Sequence, residues 1–469
     1  MEAAVLWWIR RDLRLTDNPA LNSALETGGA VVPVFILDPV LLNKPAPKRQ
    51  AFLFAGLCAL DGGLRALGSR LILRQGNPQQ ELTRLAAECN AQSIFAAEDY
   101  SPYARRRDQD IARELPLHLT GGVTVHPPSA VHKADGTPYT VFTPFSKAWK
   151  ALPLSTNQAV FPAPRILPPL PPLASLEIPA DQPPADFPAG ETEAQHRLRA
   201  FLAERIMAYG IDRDRLDLDG TSALSPYLRF GMLSPQQACQ AAVVSAQTAR
   251  SEVERKSAET WLNELIWREF YISILYHFPY VQRTAFNPAL RRIRWLDDPP
   301  GLRAWQEGLT GYPVVDAAMR QLRHTGWMHN RGRMIVASFL VKNLLIDWQA
   351  GEEWFMQHLV DGDPAANNGG WQWTAGVGTD AAPYFRIFNP VLQGLKFDPE
   401  GAYVRRWVPE LAGVPARFIH TPWQMPREIQ ITARCQIGAD YPQPILDATK
   451  TKDRTLDAYR LSKENPARS

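Results

Sequence analysis

From residue 151 to residue 190 the chain reads ALPLSTNQAVFPAPRILPPLPPLASLEIPADQPPADFPAG. A segment so dense in proline can be neither helix interior nor central strand, because each proline fixes φ and removes a backbone donor. It reads as an extended interdomain connector, and the text on either side of it differs. Before it, short apolar runs (AVLWWI, AVVPVFIL, SRLILRQ, SIFAAED and VTVHPP) alternate with helix candidates such as TDNPALNSALE and NPQQELTRLAAEC. In both of these an asparagine N-cap precedes a first-turn proline, Asn18-Pro19 and Asn77-Pro78. Such alternation argues for a doubly wound parallel sheet with helices on both faces. After the connector nearly every segment carries the 3.6-residue apolar spacing of helices, SAETWLNELIWREFYISILY and VVDAAMRQLRHTG among them. The expected fold class is α/β plus all-α: a Rossmann-like α/β domain over residues 1–130, a linker over 131–195 and a helical domain over 196–469.

Bulk composition excludes several function classes. The formal charge is only +3, so affinity for a polyanion has to come from local clusters of Lys and Arg. Four scattered cysteines without a C-x-x-C pair argue against a disulfide framework and against a zinc or iron-sulfur site, and a cytoplasmic location is expected. The apolar run in MEAAVLWWIRRDLRL is too short for a signal peptide, and no stretch approaches about 18 uncharged apolar residues, so no membrane association is expected. Neither G-x-G-x-x-G nor G-x-x-x-x-G-K occurs, so neither phosphate-cradling loop is present. The 14 tryptophans exceed average usage.

One stretch, DGDPAANNGGWQW at 361–373, has no hydrophobic repeat of either period and reads as a loop. A calcium reading fails: counting from Asp361, position 5 is Ala365, the turn glycine is replaced by Ala366, and position 12 is Gln372. Carboxylates, amides and glycines together suit a large, flat, hydrogen-bonding cofactor, with glycines permitting close approach. A polar surface loop anchored by two tryptophans is the alternative.

Several long motifs in fixed order carry a resemblance over essentially the whole chain. They are WIRRDLRLTDNPAL, GTSALSPYLRFG, WLNELIWREFY, GYPVVDAAMRQLRHTGWMHNRGRMIVASFLVKNLLIDW, DGDPAANNGGWQW and YFRIFNP. In these the chain resembles the DNA photolyase/cryptochrome family, most of all its class I cyclobutane pyrimidine dimer photolyases. The resemblance implies FAD held in a folded, U-shaped conformation in the helical domain. By matched motif, Tyr209, Thr221, Ser222, Ala223, Leu224, Ser225, Trp261, Arg333, Asp361, Gly362, Asp363 and Asn367 would line it. Thr221 and Ser222 follow a glycine just before a helical stretch, where hydroxyls and backbone N–H groups suit a pyrophosphate. Asn367 is similar to the amide that faces the reactive flavin nitrogen in the family. Trp295, Trp348 and Trp371 occupy the positions of the family's electron-transfer chain.

The resemblance also assigns a substrate cavity. Glu264 and Trp267 would meet an extruded pyrimidine pair, the carboxyl bonding base edges and the indole stacking, with Trp373 as the opposing wall. Asn330 and Met334, four apart on one helix face, resemble the pattern of cyclobutane-dimer enzymes, whereas (6-4) enzymes carry a histidine pair at that spacing. His329, one residue away, reads as structural. Arg213, Arg331 and Gln393 would contact UV-damaged DNA. In the α/β domain, AAEDYSPYARRRD departs from the Asn-Glu pattern of folate-binding members. It is closer to that of deazaflavin-binding members, which implies an 8-hydroxy-5-deazaflavin antenna met by Arg49 and Asp99, with methenyltetrahydrofolate as the alternative. The expected activity is light-driven dimer repair by a monomer without metal, against a cryptochrome-type blue-light receptor; the short C-terminal tail and the intact cavity set favour repair.

Overall fold

The computed structural model describes residues 4–154 and 161–464. Five strands, β1 (Ala4–Ile9), β2 (Ala30–Leu37), β3 (Ile72–Gln75), β4 (Ala91–Glu98) and β5 (Leu117–Gly122), form one parallel sheet in the order β3-β2-β1-β4-β5. The order reverses at β1, as in doubly wound folds, which places a topological switch point between the carboxyl ends of β1 and β4. The proline-led helices form as their caps dictate: the Asn18 side chain accepts from Leu21 N at 3.1 Å and that of Asn77 from Gln79 N at 3.0 Å. Every element after β5 among the described residues is a helix, so the α/β plus all-α class holds.

Two sequence expectations differ in detail. VTVHPP is not the fifth strand; LHLTGG, just before it, is. The backbone N–H groups of Val125 and His126 are taken by the buried carboxylate of Glu269, at 2.6 and 3.4 Å, which leaves them nothing to offer a ladder. The proline-rich stretch is also more than a spacer. Helix Phe142–Ala151 lies within 131–195, and the described part beyond it runs along β3: Leu176 N donates to Leu73 O at 2.9 Å, and Leu73 N to Ser175 Oγ at 2.9 Å. An edge strand is thereby covered, and Leu173 is buried in the sheet's hydrophobic core.

The chain divides into two compact units. The first is Met1–Gly210, Thr221–Pro279 and Val360–Ala365; the second is Ile211–Gly220, Tyr280–Leu359 and Ala366–Ser469. Helix Glu252–His277 belongs to the unit that carries the sheet, although its sequence lies in the helical half.

Candidate functional site

DGDPAANNGGWQW is not a loop. Pro364–Ala375 is an α-helix, opened by the same device as the helices of the α/β part: Asp363 Oδ1 accepts from Ala365 N at 2.9 Å and proline follows at the first helical position. The amphipathic period is missing because polar residues are buried on this helix as well as apolar ones: Ala365, Asn367, Asn368, Trp371, Gln372 and Ala375 are all inside.

In the first unit the candidate residues gather round a balanced charge cluster. Asp363 pairs with Arg11 at 2.7 Å and lies 3.7 Å from Arg229, whose Nε also donates to Gly362 O at 2.9 Å. Arg11 reaches Asp99 at 3.5 Å as well. Ser225 Oγ donates to Asp361 at 2.6 Å. Burial alone would lower the Arg11 guanidinium, but Asp99 and Asp363 outweigh it and hold it above its ordinary value. Burial brings Arg229 down to about 9 and Arg49 to about 10, the latter against the pull of Asp361 and Asp363. Burial would raise Asp99, yet Arg11 and the Ser101 N–H bring it to about 2. Of the two antenna candidates, Arg49 lies in the electrostatic field of Asp361 and Asp363, and Asp99 is joined to the same cluster through Arg11. The cavity beside Asp99, lined by Arg11, Tyr100, Val123 and Asp363 among others, measures about 10 Å³, room for a water at most. Sequence reasoning missed Arg11 and Arg229, although both stand inside motifs quoted above; an acid-rich loop with no paired bases was the available signal.

The same unit supplies other expected flavin contacts. Trp261 and Tyr209 are buried about Phe201, their ring centroids 4.9 and 5.8 Å from its own. The hydroxyls of Thr221 and Ser222 have no hydrogen-bond partner among the described residues and remain available to phosphate oxygens. Ala223 holds φ at 49°, a conformation rare for a residue with a side chain, in the bend that leads to helix Ser225–Phe230. On helix Glu252–His277, Glu264 and Trp267 are half-buried and one turn apart, while Arg268 is spent on backbone, donating to Val123 O at 2.6 Å.

The second unit holds Trp295, Trp348, Trp371 and Trp373. Trp348 and Trp371 are buried in its core, and Trp295, half-buried, packs against that core. Trp371 meets Phe355 edge-on at 5.0 Å and Trp305 at 6.0 Å; Trp295 meets Tyr459 edge-on at 6.1 Å. Gly351 is what admits Trp371, since a Cβ there would stand 2.1 Å from the indole. The indole Nε1 of Trp371 is buried with no hydrogen-bond partner among the described residues. Two residues along one helix are about 200° apart, so Trp373 faces away from Trp371, and it is half-buried. Asn367 Nδ2 donates to Glu352 O at 3.0 Å, which leaves its Oδ1 as an acceptor without a partner among the described residues. Asn368 ties the helix down through Val281 O at 3.0 Å and Glu352 Oε1 at 3.1 Å; burial pushes the Glu352 carboxyl up to about 7.

On helix Asn330–Ser338, Asn330 is exposed and Met334 half-buried, one turn apart. His329 is its N-cap: Nδ1 accepts from Arg331 N at 3.1 Å, and burial holds the imidazole down at about 4, neutral near pH 7. Arg331 is engaged, 2.7 Å from Asp214 and over the Phe397 ring at 4.5 Å; Arg213 lies 3.9 Å from the same carboxylate. Arg333 Nε donates to Met328 O at 2.8 Å, and Gln393 is half-buried on helix Pro390–Phe397. Lys342 was not anticipated: it is buried, donates to Ala375 O at 2.8 Å, lies 3.9 Å over the Tyr459 ring, and is brought by burial to about 7.

Two family models match the chain: DNA photolyase over residues 5–165 and the FAD binding domain of DNA photolyase over residues 261–461. Fold and site thus define a flavin-binding class built from an α/β part and a helical part. The chain belongs to the DNA photolyase family. It is 41% identical over 472 residues to the deoxyribodipyrimidine photo-lyase of Synechococcus sp., covering 95% of this chain and 94% of that one. Among solved structures it is similar to a bacterial class III photolyase from Agrobacterium tumefaciens, with TM-score 0.93 and 37% identity, covering 99% of this chain and 98% of that one. A Synechocystis sp. cryptochrome also matches, with TM-score 0.86 and 31% identity over 97% of this chain and 99% of that one.

Proposed function

We propose that this chain is a deoxyribodipyrimidine photo-lyase, which repairs cyclobutane pyrimidine dimers in DNA under blue light. The observation that carries the proposal is the pair of indoles on helix Pro364–Ala375, Trp371 packed into the core and Trp373 turned the other way, with the Asn367 acceptor on the same helix. FAD, when bound, supplies the light-driven electron that opens the cyclobutane ring and takes it back afterwards.

The residues present fit that cofactor. In the first unit, Tyr209, Thr221 to Ser225, Trp261, Asp361, Gly362 and Asp363 would bind it, with the free hydroxyls of Thr221 and Ser222 accommodating phosphate. In the second unit, Arg333 and Asn367 would do so, Asn367 presenting an acceptor to a flavin N–H. Trp295, Trp348 and Trp371 would pass an electron inward, from the half-buried indole to the buried ones. In the first unit Trp267 would stack on an extruded pyrimidine and Glu264 would bond its edge; in the second, Trp373 would stack likewise, with Asn330 and Met334 as further lesion contacts. Opening a cyclobutane ring after electron injection needs no acid or base. His329, adjacent to Asn330, is neutral and committed as a cap, which favours this lesion over the (6-4) photoproduct. Arg213, Arg331 and Gln393 would contact the DNA backbone, Arg331 by exchanging Asp214 for phosphate.

A second chromophore would sit in the α/β part, 8-hydroxy-5-deazaflavin ahead of methenyltetrahydrofolate, with Arg49 and Asp99 as its contacts; Asp99 would then have to give up Arg11. A solved archaeal photolyase from Sulfolobus tokodaii, 30% identical, is described as holding two FAD molecules with a novel light-harvesting cofactor implied, so occupancy by a second flavin belongs in the same test. Extraction and absorption spectroscopy of the purified protein distinguish these. We place the protein in the cytoplasm as a monomer; no helix among the described residues is long and apolar enough to cross a membrane, and none of their acidic, His and Cys side chains cluster as a metal site.

The test is direct. FAD-loaded protein mixed with cyclobutane-dimer DNA restores intact pyrimidines under blue light and not in the dark. Normal flavin photochemistry with no repair would instead identify a cryptochrome-type receptor, the reading that the Synechocystis match keeps in view.

A further inference from the structure

Trp267 does not stand alone in the first unit. The Phe142 ring lies on it at 3.7 Å between centroids with the planes 5° apart, which is face-to-face van der Waals contact. Phe270 meets it edge-on at 5.5 Å and 83°, and Tyr271 lies tilted beside it at 5.5 Å and 35°. Phe142 is itself fixed. It opens helix Phe142–Ala151, which is bound along one side to helix Glu252–His277: Phe145 packs on Phe270 at 5.2 Å, Trp149 Nε1 donates to Glu269 at 2.6 Å, and Lys150 Nζ donates to Asn263 Oδ1 at 2.7 Å. An indole has two faces, and here one is closed.

We propose that Phe142 is a positioning residue for lesion recognition, locking the plane of Trp267 from behind so that a single pre-oriented face is offered to an extruded pyrimidine. This rests on the reading that Trp267 stacks on the lesion. An indole already held in its bound orientation loses little rotamer freedom when a base arrives, whereas a loose one must be immobilised at that moment. It also explains why a helix is kept within 131–195, the segment expected to be a linker: its first residue is the one in contact with the indole.

The experiment uses the full-length, FAD-loaded protein in the dark, with dimer-containing and undamaged DNA of the same sequence. Phe142→Ala is expected to weaken binding to dimer DNA by roughly tenfold, the loss of one pre-ordered side chain, while affinity for undamaged DNA stays unchanged. Phe142→Tyr, which keeps the ring, is expected to restore dimer affinity. Trp267→Ala is the reference, with an expected loss of roughly tenfold or more. If Trp267→Ala leaves dimer affinity intact, the stacking reading itself falls. If only Trp267→Ala has an effect, the stacking stands and the role of Phe142 is refuted. Tighter dimer binding by Phe142→Ala would mean that Phe142 occupies the place of the lesion, and equal losses on both DNAs would mean that it only supports the fold; either result overturns the proposal.

Discussion

The two units solve the problem of polar function in opposite ways. In the first, Arg11, Arg49 and Arg229 share a buried field with Asp99, Asp361 and Asp363, and Arg11 and Asp99 are held charged by their partners. In the second, Trp348 and Trp371 sit in an apolar core, and the titratable groups beside that core, Lys342 and Glu352, are pushed toward their neutral forms rather than paired. A balanced cluster suits a site that must hold a charged, polar ligand in place. A core in which burial disfavours charge suits groups that must give and receive an electron with little reorganisation around them. Stability should therefore depend on charge in one unit and on shape in the other.

The largest effect is expected where charge matters most. Asp363→Asn keeps a side-chain acceptor for the helix cap but leaves Arg11 and Arg229 facing each other, and should cost about 3–5 kcal/mol of stability, read as a large drop in the unfolding midpoint, together with loss of FAD on gel filtration. A mild effect there would break the contrast between the units.

The complementary probe is Gly351→Ala. Its added methyl collides with Trp371 in a core that cannot expand freely, at an expected cost of about 1–3 kcal/mol by denaturant titration, with slowed photoreduction as the indole shifts. Asp363→Asn should leave the environment of that indole alone, as its fluorescence would report.

The smallest effect is a change of slope. The folded protein keeps the Glu352 proton up to about pH 7, whereas the unfolded chain releases it in the ordinary carboxylate range. Between those two points the folded state binds more protons, so this residue lowers stability as pH rises through that window and adds nothing further above it. Glu352→Gln retains an acceptor for Asn368 and should flatten the dependence, with a smaller loss in unfolding midpoint from about pH 5 to pH 8 than the parent shows.

Much of this was legible in the sequence. Four strands, the proline-led helices and the order of motifs could be read from local rules, because caps and β-branched runs act over a few residues. What failed was decided at a distance. VTVHPP looked like a strand until Glu269, 144 residues on, claimed Val125 N. The stretch 361–373 looked like a loop because buried amides disguise a helical period, although Asp363-Pro364 repeats the signal read correctly at Asn18-Pro19. Arg11 and Arg229 stood in quoted motifs, but no local pattern says which acid an arginine will meet. Likewise Phe142 could not be matched to Trp267 across more than a hundred residues of chain.

The central claim is that one short helix separates electron supply from lesion contact, with Trp371 serving the first and Trp373 the second. Trp371→Phe tests it in a single preparation. The oxidised variant, under blue light with an external reductant, should fail to bleach its flavin, yet after chemical reduction it should repair dimer DNA at the parent rate. A variant that photoreduces as the parent does, or that cannot repair even when reduced chemically, would contradict the account.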